Sequence, residues 1–260
     1  MDESVAADDA PSGKRSIAAA TRADGVLQVR RPGTEWLHTG WHGGLTVADA
    51  AYNVTVPEGW APSDIGTDVD ERLATASFTD EGPVLLTGVE MSHVRGANCG
   101  PVTAYATVGI SNPAVLPADP AGGSLPSASV GDDEESTTTG TANLVVVTDR
   151  SLAAGALANL VAVAAEAKTA TLLAETGFPG TTSDAITVGH DPTGETARYS
   201  GSATRVGAAT RACVREAVTA SLHSRYEDGD ADRPQCLADA AYGVSTDVRA
   251  DVFAVPSDRR

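Results

Sequence analysis

The chain has 260 residues, 42% apolar and 4% aromatic, with 35 acids against 18 bases and a net charge of −17. That length suits one large domain with a sizeable core, or two small ones. So acidic a balance excludes a nucleic-acid-binding face, and no charge-free apolar run reaches the ~18–20 residues that span a membrane.

In chain order, residues 1–24 read as a disordered acidic tail; MDESVAADDAPSG is polar and no signal peptide, which predicts a cytoplasmic protein. VLQVRR (26–31) alternates as a strand does, and Pro32-Gly33 predicts a turn. A strand or short helix follows over 45–56, then strands at 83–88 and 103–110. Residues 117–139 are rich in Pro, Gly, Ser and acid, hence a surface loop, either a lid or a solvated excursion. ANLVVVT (142–148) reads as a buried strand. Asp149 or Ser151 then caps a long helix that stops near Gly177, with Pro179 beyond. A short strand at 185–188 precedes an amphipathic helix at 204–223. Residues 224–260 form an acidic linker and tail with a last strand over 248–255. Strands alternating with two long helices predict a single α/β or α+β domain over 25–223, a layered sandwich of a mixed sheet packed with those helices.

Only Lys14 and Lys168 are lysines; the other sixteen bases are Arg. Few lysines and acids spread through the body match a protein that stays soluble in molar salt. There the Debye length is only ~3 Å and self-repulsion is screened. A salt-in halophile source is expected. Cys99, Cys213 and Cys236 have no metal or CxxC spacing and read as free thiols, with Cys99 after a glycine-rich turn.

The helix after residue 151 is apolar on nearly every side yet contains Glu166 and Lys168. An all-round apolar helix is expected to be buried, and a buried charge must be paired or in use. Asn159, Glu166 and Thr169 share one helix face, so Glu166 is a candidate general base, or else bridges to Arg205 or Arg211. Lys168 points nearly opposite. It can bind an anionic group or activate a hydroxyl, or pack its stem and send its head to water. In Gly180-Thr181-Thr182-Ser183-Asp184, small hydroxyl residues and exposed N–H groups can form an oxyanion hole. Asp184 would orient a water or hydroxyl, and Thr182 or Ser183 would serve as nucleophile. The alternative is an ordinary Asx/ST turn. His93, after the 84–91 strand segment, is the best-placed histidine for acid–base work. His38 and His42 have helical metal spacing, but TGWHGG is too glycine-rich for a helix, and no metal site is expected. No GxSxG, HExxH, GxxxxGK[ST] or GxGxxG motif occurs.

Several segments occur in a telling order: GGLTVADAAYN (43–53), VLLTGVEM (84–91), TAYATVGISN (103–112), GTANLVVV (140–147), EAKT, GTTSD (180–184) and YSGSATRVGAATRACVREAV (199–218). Together they resemble the adenosylcobinamide amidohydrolase family, in a haloarchaeal-type member. The resemblance implies hydrolysis of the amide joining the aminopropanol arm to the corrin ring, giving adenosylcobyric acid for coenzyme B12 salvage. Cobalt would arrive in the substrate, and nothing in the sequence calls for a protein-bound cofactor. The partner implied is the corrinoid alone, without nucleic acid or membrane. Asn53, Asn112 and Asn143 lie in these segments. Asparagine both donates and accepts, which suits the rim of an amide-rich ring. Asn53, His93, Asn112, Asn143, Thr181 and Ser183 are therefore candidate substrate-binding residues, and Glu166, Lys168, Asp184 and Thr182 candidate catalytic ones. The rival readings are a non-catalytic corrinoid carrier and a hydrolase that cleaves itself before Thr141 or Thr181.

The composition makes its own prediction. Circular dichroism recorded while KCl is dialysed away should show loss of the fold; full structure in dilute buffer would refute the halophile reading.

Overall fold

The computed structural model describes residues 17–126, 141–227, 232–240 and 242–255. Asp24 and Gly25 hold positive φ angles of 45° and 77°, the backbone that twists correctly into a tight hairpin. They join β1 (Ala19–Ala23) to β2 (Val26–His38). The expected tail to residue 24 is thus corrected: Ala19–Ala23 enters the sheet, and residues 1–16 of that tail lie outside the described residues. Asp-Gly before an alternating strand is a hairpin signal that an acidic, alanine-rich composition obscures.

β2 pairs antiparallel with β3 (Gly44–Thr55), with one register shift between Arg30 and Thr34. The turn expected at Pro32-Gly33 is a bulge within this continuous strand. Gly33 donates its N–H to Asp49 Oδ1 at 2.8 Å, and the extra residues bend the hairpin. The sequence also predicted no helix at α1 (Ile65–Thr75). It is capped by Asp64, which accepts from Gly66 N–H at 3.1 Å and the Thr67 hydroxyl at 2.6 Å. Its acid-rich turns bury only Val69 fully, so its apolar stripe is faint.

The chain continues through β4 (Val84–Thr87), a 3-10 turn at Met91–His93, β5 (Arg95–Cys99), β6 (Val102–Val108), β7 (Ala114–Val115), β8 (Ala142–Leu152), α2 (Ala154–Thr176), β9 (Ile186–Ala197), α3 (Arg205–Tyr226) and β10 (Val244–Ser245). One mixed sheet runs β4-β3-β2-β9-β8-β6-β5, with β1 on β2 as its eighth strand. The β3/β4 and β8/β9 pairs are parallel. This is the single-domain α/β layered sandwich that the alternation of strands and helices predicted. β8 and β9 are longer than expected because their pairing continues to Leu152 and Ala197. Asp149 and Ser151 are therefore strand residues, and Ala153 begins α2 without a side-chain cap. No strand forms over 248–255: Val252, Phe253 and Val255 are exposed.

α2 and α3 cover one face of the sheet. Leu157, Leu160 and Leu172 of α2 and Val206, Val214 and Leu222 of α3 meet Val102, Ala104, Leu144, Val146 and Val188. α2 is long and apolar enough to cross a membrane, but half of its most apolar window is buried in this layer. The prediction that α2 is buried on all sides fails. Ala158, Ala162, Glu166 and Ala170 face outward, since alanine is a strong helix former tolerated at a surface.

The sheet also curls. The bent β2–β3 hairpin and β4 fold across the uncovered face of β6 and β8, and Trp41 bridges Val84 beside the closing edge. Leu27, Val29, Trp36, Ala51 and Leu85 thereby pack on Val145 and Val147 as an inner core. α1 seals the outside of the hairpin against Val26, Ala50, Tyr52 and Val54.

His38 sits 5% exposed at the end of β2, in register with Thr187 of β9. Burial pushes its imidazole below the usual value. The unfolded chain therefore takes this proton more readily. Its contribution to stability is complete above about pH 6.5 and is lost as the pH falls through the folded-state value. Denaturant midpoints should decline from pH 8 toward pH 5, and His38→Asn should make that decline shallower; an unchanged slope would show that His38 does not titrate on unfolding.

Candidate functional site

The loop after β6 and the turn before β9 are laced together at one end of the curled sheet. Gly109 N–H donates to the Thr141 carbonyl at 3.1 Å, Ala114 N–H to that of Gly180 at 3.0 Å, and Thr182 N–H to that of Asn112 at 3.2 Å. Asn112, fully buried, extends Nδ2 to Thr182 Oγ at 2.7 Å and lies 3.5 Å from Ser183 Oγ.

Beneath the turn lies an ion pair between Lys168 and Asp184, whose side chains are only 9% and 11% exposed. Lys168 thus neither snorkels to water nor meets Glu166. Asp184 also accepts from Ala142 N–H at 2.8 Å, Thr181 N–H at 3.1 Å and the Thr181 hydroxyl at 2.5 Å. Four donors on one carboxylate offset its desolvation and fix its orientation. A methyl group at position 180 would stand 2.5 Å from Asp184 Oδ2 and 3.3 Å from Lys168 Nζ. Glycine is required there for the pair to close. Thr182 and Ser183 lie above it, exposed. The Thr182 oxygen accepts from Asn112, which leaves its proton to face the solvent side.

The other two asparagines go deeper than expected. Asn53 and Asn143 are each 1% exposed, so they line the inside of the curl and not a rim. Asn143 Nδ2 donates to Asn53 Oδ1 at 3.0 Å and to the Leu86 carbonyl at 2.8 Å, and Asn53 Nδ2 donates to Thr107 Oγ at 2.8 Å. The Thr141 hydroxyl and Ala185 N–H donate to Asn143 Oδ1. This network ties β3, β4, β6 and β8 directly behind the Asp184 turn. Thr107 is a member that sequence reasoning missed, its only signal a polar residue on the inward phase of an apolar strand, and Thr141, considered there only as a point of self-cleavage, is a second member.

Glu166 does not join this arrangement. Its side chain is 64% exposed and lies 3.6 Å from Arg211. The stripe of Asn159, Glu166 and Thr169 faces away from the sheet, so Glu166 is not the buried residue that the sequence offered as a base, and it takes the other course, beside Arg211. His93 does not join the hydrogen-bonded arrangement either; it sits on the 3-10 turn, with Nδ1 3.1 Å from Ser224 Oγ. Of the cysteines, all free, Cys213 is buried with its thiol pushed up to about 12 by desolvation, while Cys99 and Cys236 are exposed. His42 occupies the glycine-rich turn at φ 52°, and no cluster of three metal-ligating side chains occurs among the described residues.

Removing one partner of a buried pair strands the other charge, which costs ~3–5 kcal/mol. Lys168→Met and Asp184→Ala should each lower unfolding free energy by about that amount, and Gly180→Ala should destabilise for steric reasons. Denaturant titration in molar KCl measures this; a loss below ~1 kcal/mol in both pair variants would show that the pair is not buried as described.

The sequence model described as adenosylcobinamide amidohydrolase matches residues 8–230. A curated protein of Halobacterium salinarum named adenosylcobinamide amidohydrolase is 59% identical over 235 residues, which span 90% of this chain and 97% of that protein. The chain belongs to the adenosylcobinamide amidohydrolase family.

Proposed function

We propose that this chain hydrolyses the amide that joins the aminopropanol arm to the corrin ring of adenosylcobinamide. Water adds across the C–N bond and gives adenosylcobyric acid and 1-amino-2-propanol. Family membership across nearly the whole chain carries this reading. The family-like segments also converge, since Asn53, Asn112, Asn143 and the 180–184 turn meet at one end of the sheet. The cobalt enters with the corrinoid.

The chemistry is assigned to the exposed lip of that end. Amide hydrolysis needs a nucleophile and donors for the oxyanion that forms on the carbonyl oxygen. Thr182 and Ser183 supply hydroxyls, one of which either attacks or orders the attacking water. Asn112 supplies an N–H already directed at them. Lys168 and Asp184 are positioning residues: Asp184 fixes Thr181 through both backbone and side chain, and the lysine holds that carboxylate in place from below. Asn53 and Asn143 hold the floor.

The test is incubation with adenosylcobinamide in molar KCl, with chromatography of the corrinoid. Repeated turnover to adenosylcobyric acid is expected; unchanged corrinoid that co-elutes with the protein would mean a carrier. Asn112→Ala should lower kcat by about 10²–10³-fold, the usual loss for one oxyanion donor. Thr182→Ala/Ser183→Ala should lower it at least as far. Full turnover in the double variant would remove the lip from the chemistry.

A further inference from the structure

We infer that Arg95, Arg225 and His93 form an oxyanion-binding subsite beside this lip, which takes a carboxylate or phosphate group of the corrinoid. The inference rests on the corrinoid reading for the identity of the ligand, but not for the site.

Acids outnumber bases by 35 to 18 in this chain, and several arginines meet one, as Arg31 meets Asp191 and Arg150 meets Glu195. Arg95 and Arg225 have no carboxylate within 4.0 Å among the described residues. Arg95 is locked in place instead: Nη1 donates to the carbonyls of Ser92 and Val94, both at 2.8 Å, and Nη2 to Ser224 Oγ at 2.5 Å. Arg225 stacks its guanidinium 5.6 Å from the Tyr226 ring, and its buried Nε has no hydrogen-bond partner. It lies against Gly109: a methyl there would stand 3.4 Å from Nε and 3.6 Å from Cζ, ordinary contact. The C-terminal dipole of α3 favours such cations but satisfies none of their N–H groups.

The third member is an imidazole. His93 Nδ1 lies 3.1 Å from Ser224 Oγ, the hydroxyl that also accepts from Arg95. Burial, then Arg225 and Arg95, hold this histidine below its usual pKa, with the Ser224 backbone and then Glu90 pulling the other way. Ser221 fixes the turn by donating to the His93 carbonyl at 2.9 Å. Two guanidinium groups and an imidazole are thus gathered around Ser224 with no carboxylate within 4.0 Å of either guanidinium among the described residues, the pattern that binds oxyanions through charge-assisted hydrogen bonds.

The subsite is close to the lip. Gly109, against Arg225, and Asn112, against Thr182, are three Cα steps apart, about 11 Å at most. A corrinoid on the lip reaches both. Its scissile amide is neutral, whereas the product carries a carboxylate, and a phosphorylated arm carries a phosphate.

The test begins with inorganic phosphate and the full chain in molar KCl, read by calorimetry. Screening there is strong, with a Debye length of ~3 Å, so only direct hydrogen bonds register. One saturable site is expected, weakened at least tenfold in Arg225→Gln and in Arg95→Gln and partly restored in Arg225→Lys; circular dichroism confirms that the variants fold. Absence of saturable binding, or equal binding in the folded variants, overturns the subsite. Competition then names the source: displacement by adenosylcobyric acid identifies the carboxylate, and displacement only by a phosphorylated adenosylcobinamide identifies the phosphate. Displacement by neither overturns the role in corrinoid binding. A chain that binds phosphate but no corrinoid at all would defeat the proposed function and leave the anion site standing.

Discussion

A lysine taken out of water must find an anion, and in this fold the anion must come from the turn above it. Lys168 on α2 reaches Asp184 in the 180–184 turn, and the pair closes only because residue 180 has no side chain. Through Asp184 the pair fixes Thr181 and the first residue of β8. One interaction thereby joins the helix layer, the start of two central strands and the hydroxyl-bearing lip. Replacing such a pair by apolar residues is often neutral for stability. Its use here is geometric, because it gives the lip a single conformation from below.

The second constraint is the curl of the sheet. A flat sheet covered on one face would leave Asn53, Thr107 and Asn143 in water. Bending the β2–β3 hairpin over the open face buries them, and buried amides must then satisfy one another. Asn53 and Asn143 do so, and they also hold the Leu86 carbonyl and Ala185 N–H. The inner apolar core of Trp36, Leu85 and Val145 supplies the driving force for this closure. The polar members sit at the end where the lip needs a rigid floor.

Electrostatics divides the molecule. Its surface is acidic, and several arginines meet a carboxylate. Arg95 and Arg225 meet none among the described residues, and Arg225 lies against Gly109, in the same Gly109–Asn112 loop that carries Asn112 to the lip, so amide chemistry and anion recognition share one short segment of backbone.

Periodicity by itself determined the α/β class, the two long helices and the central strands, because an apolar run or stripe has few ways to be buried. The Gly180–Asp184 turn and the oddity of Lys168 were also legible, since small hydroxyl residues after a helix and a lone core lysine are local facts. The position of Glu166 was not. Alanine allows a helix to be apolar all round and still half exposed, so composition could not say which face was inward. Nor could Pro32-Gly33 be recognised as a bulge, because a turn and a bulge use the same residues and differ only in whether the partner strand continues. The pairing of Asn53 with Asn143, of Lys168 with Asp184, and of Arg95 with Ser224 and His93 was decided by tertiary structure alone. Each joins residues far apart in the chain, and only the curl of the sheet and the docking of α2 and α3 bring them within hydrogen-bonding reach.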